Sequence, residues 1–170
     1  MKSSTVTIIL ITFLVIIGLF VWGYNQNDNS LAAVQGVESD GLESALIATS
    51  TVYDFGSISM ANGDVSKDFV FSNPTNKDIV INNVETSCMC TTASFVESGG
   101  LIKGFFGMAG MGYENNTNEV IKSGETKIVR VTYDPNAHGP AGVGLIDRFI
   151  RLTDSTGGNL QFEIKAVVTP

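Results

Sequence analysis

The sequence predicts an all-β domain, an antiparallel β-sandwich of about seven strands, carried behind one N-terminal transmembrane helix. Three observations predict it. Residues 6–24 form an uncharged apolar run. From about Ile47 onward, short β-branched and aromatic runs are divided by Gly, Asn, Pro and Asp, with no helical period. The chain has two cysteines, both in the segment Ser87-Cys88-Met89-Cys90-Thr91-Thr92, so about 120 residues of sandwich must rest on their apolar core rather than on a cross-linked framework.

The first element is the anchor. Residues 6–24 contain only two polar side chains, Thr7 and Thr12, whose hydroxyls can bond back to a helix. At 1.5 Å per residue such a helix spans about 28 Å, close to the hydrocarbon thickness of a bilayer. Trp22 and Tyr24 fall where an interfacial aromatic belt sits. Lys2 precedes the run and Asp28 follows it, which places residues 1–5 in the cytoplasm and the remainder outside. A cleaved signal peptide is the alternative. Its apolar region is shorter, and Leu31-Ala32-Ala33 is only a weak cleavage site. Both readings give an extracytoplasmic domain, in a single-pass cell-membrane protein if the anchor is kept.

Residues 25–46 are polar and small, without strong periodicity, and read as a linker. The domain then runs from 47 to 170. Expected strands are 47–55, 66–72, 78–86, 91–96, 126–133, 145–153 and 160–168. Alternation is visible in Phe69/Phe71, Ile79/Ile81, Ile128/Val131/Tyr133, Phe149/Leu152 and Phe162/Ile164/Ala166/Val168. Residues 98–123 interrupt the rhythm with a Gly/Phe/Met-rich stretch and a polar Asn-rich tract. They read as an insertion of little strand character, the kind of long excursion that is often functional.

The strand-by-strand anchors carry a family resemblance. Tyr53-Asp54-Phe55-Gly56-Ser57-Ile58 opens the domain, followed by Phe69-Val70-Phe71-Ser72-Asn73. Ile81-x-x-Val84-x-x-Ser87-Cys88-Met89-Cys90-Thr91-Thr92 comes next. Ile121-Lys122-Ser123-Gly124-Glu125-Thr126, Val131-Thr132-Tyr133-Asp134-Pro135 and Gly139 complete the set. In this order, over roughly residues 51–168, the chain resembles the bacterial family DUF 1573, a domain of unknown function related to ASH/MSP/HYDIN-type sandwiches. The resemblance implies a seven-stranded Ig-like fold, export or membrane tethering, and no established enzyme activity. The chain departs from the family in carrying Met89 where glycine commonly separates the cysteines. The stretch 99–113 and the segment Asn136-Ala137-His138-Gly139-Pro140 look like features of a subgroup.

Cys88 and Cys90 end an expected strand. In a regular strand residues i and i+2 stand too far apart for a disulfide, so a bridge requires a local turn and is strained and readily reduced. Two thiolates could instead share a metal ion. Further donors lie in two similar glycine loops, Gly107-Met108-Ala109-Gly110-Met111-Gly112 and Gly139-Pro140-Ala141-Gly142-Val143-Gly144, the second directly after His138, the single histidine. The candidate metal set is therefore Cys88, Cys90, His138, Met108 and Met111. Thiolate and thioether donors suit copper(I), whereas two cysteines and a histidine suit zinc. The alternatives are a thiol–disulfide carrier, and a purely structural role: buried cysteines, methionines covering an open end, and His138 capping a turn. Phe105 and Phe106 form an apolar tip that could bind a protein partner, with at least one ring expected to be buried.

Other function classes are weak. Nine Lys/Arg and 17 Asp/Glu follow Tyr24, a formal charge of −8, which argues against nucleic acid and against anionic lipid surfaces. No G-x-S-x-G elbow is present, and the glycine loops have neither the spacing nor the strand-to-helix context of a dinucleotide fingerprint. No catalytic residue is identified. The expected function is that of a membrane-anchored extracytoplasmic binding or structural domain, with the soft-metal module and the thiol–disulfide carrier as alternatives.

Overall fold

The computed structural model describes residues 42–170; the expected anchor at 6–24 and most of the linker lie outside them. Among the described residues no helix is long and apolar enough to cross a membrane. Among the described residues, ten strands form two five-stranded sheets. They are β1 (Ile47–Ala48), β2 (Val52–Ser59), β3 (Val65–Ser72), β4 (Ile79–Thr86), β5 (Thr91–Val96), β6 (Ile102–Phe106), β7 (Asn116–Ile121), β8 (Thr126–Tyr133), β9 (Gly144–Asp154) and β10 (Asn159–Thr169). One sheet has the order β1-β3-β8-β5-β6 and the other β2-β10-β9-β4-β7. The two-layer all-β architecture is as the sequence predicts.

Three details differ from the expectation. The first expected strand, 47–55, is two strands in different sheets. β1 pairs antiparallel with β3, and β2 then pairs with β10 in parallel, so the sandwich is not wholly antiparallel. The polar Thr49-Ser50-Thr51 segment makes the switch: Thr49 N–H donates to Val70 at 3.0 Å, and the Thr51 carbonyl accepts from Glu163 at 2.8 Å. The chain can therefore leave one ladder and join the other without stranding a backbone group.

The second difference is in 98–123, which contributes β6 and β7, an edge strand for each sheet. Both escape a pattern reading because an edge strand has one neighbour and is not compelled to alternate. In β6 the pattern is also broken by Gly104. Its φ is 75°, and a Cβ there would lie 2.4 Å from the Phe106 ring, so glycine lets that aromatic fold back against the backbone.

The third difference is register. The core-facing residues of β8 are Val129, Val131 and Tyr133, and those of β9 are Ile146, Ile150 and Leu152, while Ile128 and Phe149 are only half-buried. A one-residue shift reverses the face of every side chain in a strand. On β9 the inward period of two therefore includes Arg148, between Ile146 and Ile150.

The core joins both layers. Phe69 on β3 meets Phe162 on β10 at 4.7 Å between ring centroids, and Phe71 reaches both Phe95 and Phe162. Among the polar groups buried with it is a charged one: Glu119 on β7 is 2% exposed and paired with Lys127 on β8 at 2.9 Å and with Lys103 on β6. This carboxylate ties the edge of one sheet to two strands of the other.

Candidate metal and thiol site

The site is built where β4 gives way to β5. These strands belong to different sheets, so the four residues Ser87–Cys90 must carry the chain from one layer to the other. They do so in a tight turn closed by Thr91 N–H donating to the Cys88 carbonyl at 3.1 Å. The buried Thr86 hydroxyl lies 3.0 Å from the Cys88 carbonyl and 2.9 Å from that of Thr91. Ser87 is locked to β9 in both directions: its N–H donates to Phe149, and its hydroxyl accepts from the Phe149 N–H, each at 2.9 Å. The turn brings the two cysteine Cα atoms to 5.3 Å, and the sulfurs are bonded to one another. The curl that the C-x-C spacing demanded is thus made by the crossing between sheets.

His138 arrives from the loop after β8. Asp134 accepts the Asn136 N–H at 2.7 Å, Gly139 N–H donates to the Asn136 carbonyl at 2.8 Å, and the Asn136 amide donates to Met60 at 2.9 Å. Gly139, at φ 54°, turns the chain into a short 3-10 segment, Gly139–Gly142. The histidine makes no side-chain cap on that segment, contrary to the capping alternative. Its Nε2 instead lies 3.2 Å from Cys88 Sγ.

One donor atom from each of Cys88, Cys90 and His138 lies within 4.8 Å of the others. In a tetrahedral zinc site, with Zn–S near 2.3 Å and Zn–N near 2.1 Å, neighbouring ligand atoms stand roughly 3.5–3.8 Å apart. The three side chains are thus positioned to coordinate one copper or zinc ion, once the bridge is reduced to two thiols. Cys90 is 2% exposed, Cys88 half-buried and His138 exposed, so the group opens to solvent on the histidine side.

The fourth member was not visible as such in the sequence. Arg148 Nε donates to Cys90 Sγ at 3.3 Å, while its Nη1 donates to the Asp147 carbonyl at 2.8 Å. The available signal was the period Ile146-x-Arg148-x-Ile150-x-Leu152, an arginine at an inward position of a core strand. Beneath the site, burial raises the pKa of Tyr133; Arg148 works against that shift and Asp134 adds to it. Tyr133 lies opposite Thr91 in the β5–β8 pair and forms the floor of this end of the sandwich.

The methionine loop lies at the same end. Thr86 N–H donates to Gly107 at 3.1 Å, and Met108 forms a parallel bridge with Thr86. Met108 and Met111 are both exposed, and among the described residues no hydrogen bond joins either to the cysteines or His138. The loop is held by Asn115, whose carbonyl accepts the Gly107 N–H at 3.0 Å and whose amide donates back at 2.8 Å. Asn115→Ala should cost about 1–2 kcal/mol by orphaning the buried Gly107 N–H, the Gly107 carbonyl keeping its bond from Thr86, and raise proteolytic cleavage between Gly107 and Tyr113. An unchanged cleavage pattern would show that the loop is held otherwise. Of the two phenylalanines, Phe106 is buried against Phe95, whereas Phe105 is 63% exposed and leans on Tyr113.

The family model described as "Protein of unknown function (DUF1573)" matches residues 46–103. The match bears out the resemblance read from the sequence, and the matched segment holds both cysteines but neither His138 nor Arg148. Among solved structures, the chain is similar to a protein of unknown function from Porphyromonas gingivalis W83, with TM-score 0.53 and 16% identity over 83% of this chain and 51% of that one. That likeness shows the fold. It is also similar to the ASH/PapD-like domain 7 of human CEP192, with TM-score 0.47 and 11% identity over 82% of this chain and 96% of that one. The Vibrio cholerae VesB protease gives TM-score 0.48 and 15% identity over 72% of this chain and 32% of that one. The chain thus spans about a third to a half of the length of the VesB and Porphyromonas structures. Among curated proteins there is no significant match.

Proposed function

We propose that this protein is a membrane-anchored, extracytoplasmic binding module whose dithiol form holds one soft or borderline metal ion, copper(I) or zinc, through Cys88, Cys90 and His138. The observation that carries the reading is the meeting of the β4–β5 turn with the β8–β9 loop, which sets His138 Nε2 3.2 Å from Cys88 Sγ although 50 residues separate them. A histidine merely covering a sandwich end has no reason to point its ring at a sulfur. Two thiolates and an imidazole are a donor set common to both metals. Met89 lies between the two cysteines and Met108 bridges Thr86 beside their turn; both are exposed, and they are the thioethers to try as a further donor. The anchor reading rests on the apolar length of residues 6–24 and on Lys2 ahead of it.

The test is a titration of the full-length protein, reduced and held in detergent micelles, with copper(I) and with zinc against a competing chromophoric chelator. One equivalent is expected to bind tightly to the wild type and none to the Cys88→Ser/Cys90→Ser variant. Equal uptake by both proteins would rule out a site built on the cysteines. A protein partner is a second reading, supported by Phe105 and Ile102 standing exposed on edge strand β6, with exposed Leu101 just before it.

A further inference from the structure

We propose that the Cys88–Cys90 bridge is a thiol–disulfide exchange site with divided roles. Cys88 is the sulfur attacked by an incoming thiol, and Cys90 is the sulfur released, its thiolate received by Arg148. The proposal goes beyond metal binding and does not depend on it.

The first argument is access. A thiolate must approach the sulfur it attacks from outside the disulfide, along its axis. Cys90 is 2% exposed and packs in the core cluster, while Cys88 is half-buried and lies on the side that His138 opens to solvent. Only one of the two sulfurs can therefore be reached.

The second argument is charge. Arg148 is an arginine in an inward position of a core strand, and its Nε is aimed at the unreachable sulfur, 3.3 Å away. A disulfide sulfur is a weak acceptor and gives little return for a placed guanidinium; a thiolate gives much more. Thr91 Oγ1 lies 3.6 Å from the same sulfur and can donate to it as well. The donors thus surround the position where negative charge appears when the bond breaks, the arrangement that lowers the barrier for a leaving group.

The third argument removes the structural alternative. The bridge closes a ring spanning three residues, so it constrains the unfolded chain little. The turn is already held by Thr86, Ser87 and Thr91 through the hydrogen bonds described above. A staple is not needed there.

The step balances as follows. A thiolate attacks Cys88 Sγ; the new bond joins its sulfur to Cys88, the Cys88–Cys90 bond breaks, and its electron pair goes to Cys90. A second thiolate attacks the substrate sulfur of the mixed disulfide and releases Cys88. Two substrate thiols are oxidised to one disulfide, the bridge is reduced to a dithiol, and the two substrate protons end on the cysteines or in solvent. The same exchange converts the bridged state, which cannot bind a metal through thiolates, into the dithiol that can.

The experiment uses full-length oxidised protein in detergent with a chelator present, so that metal binding plays no part. Reduced glutathione is added, aliquots are quenched by rapid alkylation, and the adducts are mapped by mass spectrometry. The expected result is a transient glutathione adduct on Cys88 alone, and about tenfold slower reduction in Arg148→Met. An adduct on Cys90 or on both sulfurs, or a rate in Arg148→Met within about twofold of wild type, would overturn the assignment. A wild-type bridge that glutathione leaves intact would make it structural. Because the adduct is mapped in the wild type, the test survives a variant that fails to fold. Failure of the metal titration leaves this result untouched, and the reverse holds too.

Discussion

Replacing His138 by alanine is expected to weaken zinc binding by the reduced protein about 100-fold, or roughly 2.7 kcal/mol, while weakening copper(I) binding by no more than about tenfold. The difference follows from ligand preference. Zinc takes four ligands in a tetrahedron, and loss of the imidazole leaves two protein donors where three are normal for an open site. Copper(I) is soft and is served chiefly by the two thiolates, so the imidazole is the lesser part of its site. His138 is exposed and makes no cap on its own loop, which leaves the fold little affected by the change. Chelator competition on full-length wild type and variant measures both affinities. Unchanged affinity for both metals would remove His138 from the site. Equal 100-fold losses would mean that both metals use it as a full ligand.

Glu119→Ala is expected to destabilise the domain by about 3 kcal/mol, read as a lower urea midpoint at neutral pH. Glu119 is 2% exposed, and its removal leaves the mostly buried Lys127 without its nearest partner. Glu97 and Glu125 remain within reach of Lys127, at 3.2 and 3.6 Å, which keeps the loss at the low end for a broken buried pair. The pH dependence has a definite sign. Burial pushes the Glu119 carboxyl upward, but hydrogen bonds from Lys103 and Lys127 outweigh it and hold the pKa below the usual carboxylate value. A carboxyl depressed by folding contributes stability above its unfolded pKa, about 4.3, and loses it as pH falls through the lower folded value. Wild-type stability should therefore decline below about pH 4 more steeply than that of Glu119→Gln, whose amide does not titrate there. Parallel curves, or a loss in Glu119→Ala under about 1 kcal/mol, would show the pair to be screened like a surface bridge.

Much of the sandwich was legible because its central strands bury one face. Phe69/Phe71 on β3 and Phe162/Ile164/Ala166/Val168 on β10 alternate as the pleat requires, and all six are buried. The edge strands β6 and β7 were not legible, since Ile102-Lys103-Gly104-Phe105-Phe106 and the polar start of β7 face solvent along much of their length. A single ladder neighbour imposes no pattern that a reader can detect. The switch at Thr49-Ser50-Thr51 was hidden for a related reason. Nothing local to 47–55 says that β1 belongs beside β3 and β2 beside β10; partners more than 20 and 100 residues away decide it.

The candidate site divides along the same line. By itself the sequence determined the chemistry on offer: two sulfurs one residue apart, one histidine, and two glycine loops, with a run at 6–24 that predicts an oxidising compartment for them. Local spacing also determined that no cysteine bridge could form without a turn. Only the tertiary structure decided that β4 and β5 lie in different sheets, so that their connection must curl and bring the sulfurs together. It also decided that His138 lies on Cys88 while the methionines make no hydrogen bond to the group, and that Arg148, not Phe149, points inward to Cys90. The reason is physical. Composition and spacing act over a few residues, whereas these contacts join positions 50 and 58 residues apart, and strand register and sheet membership alone set which side chains meet.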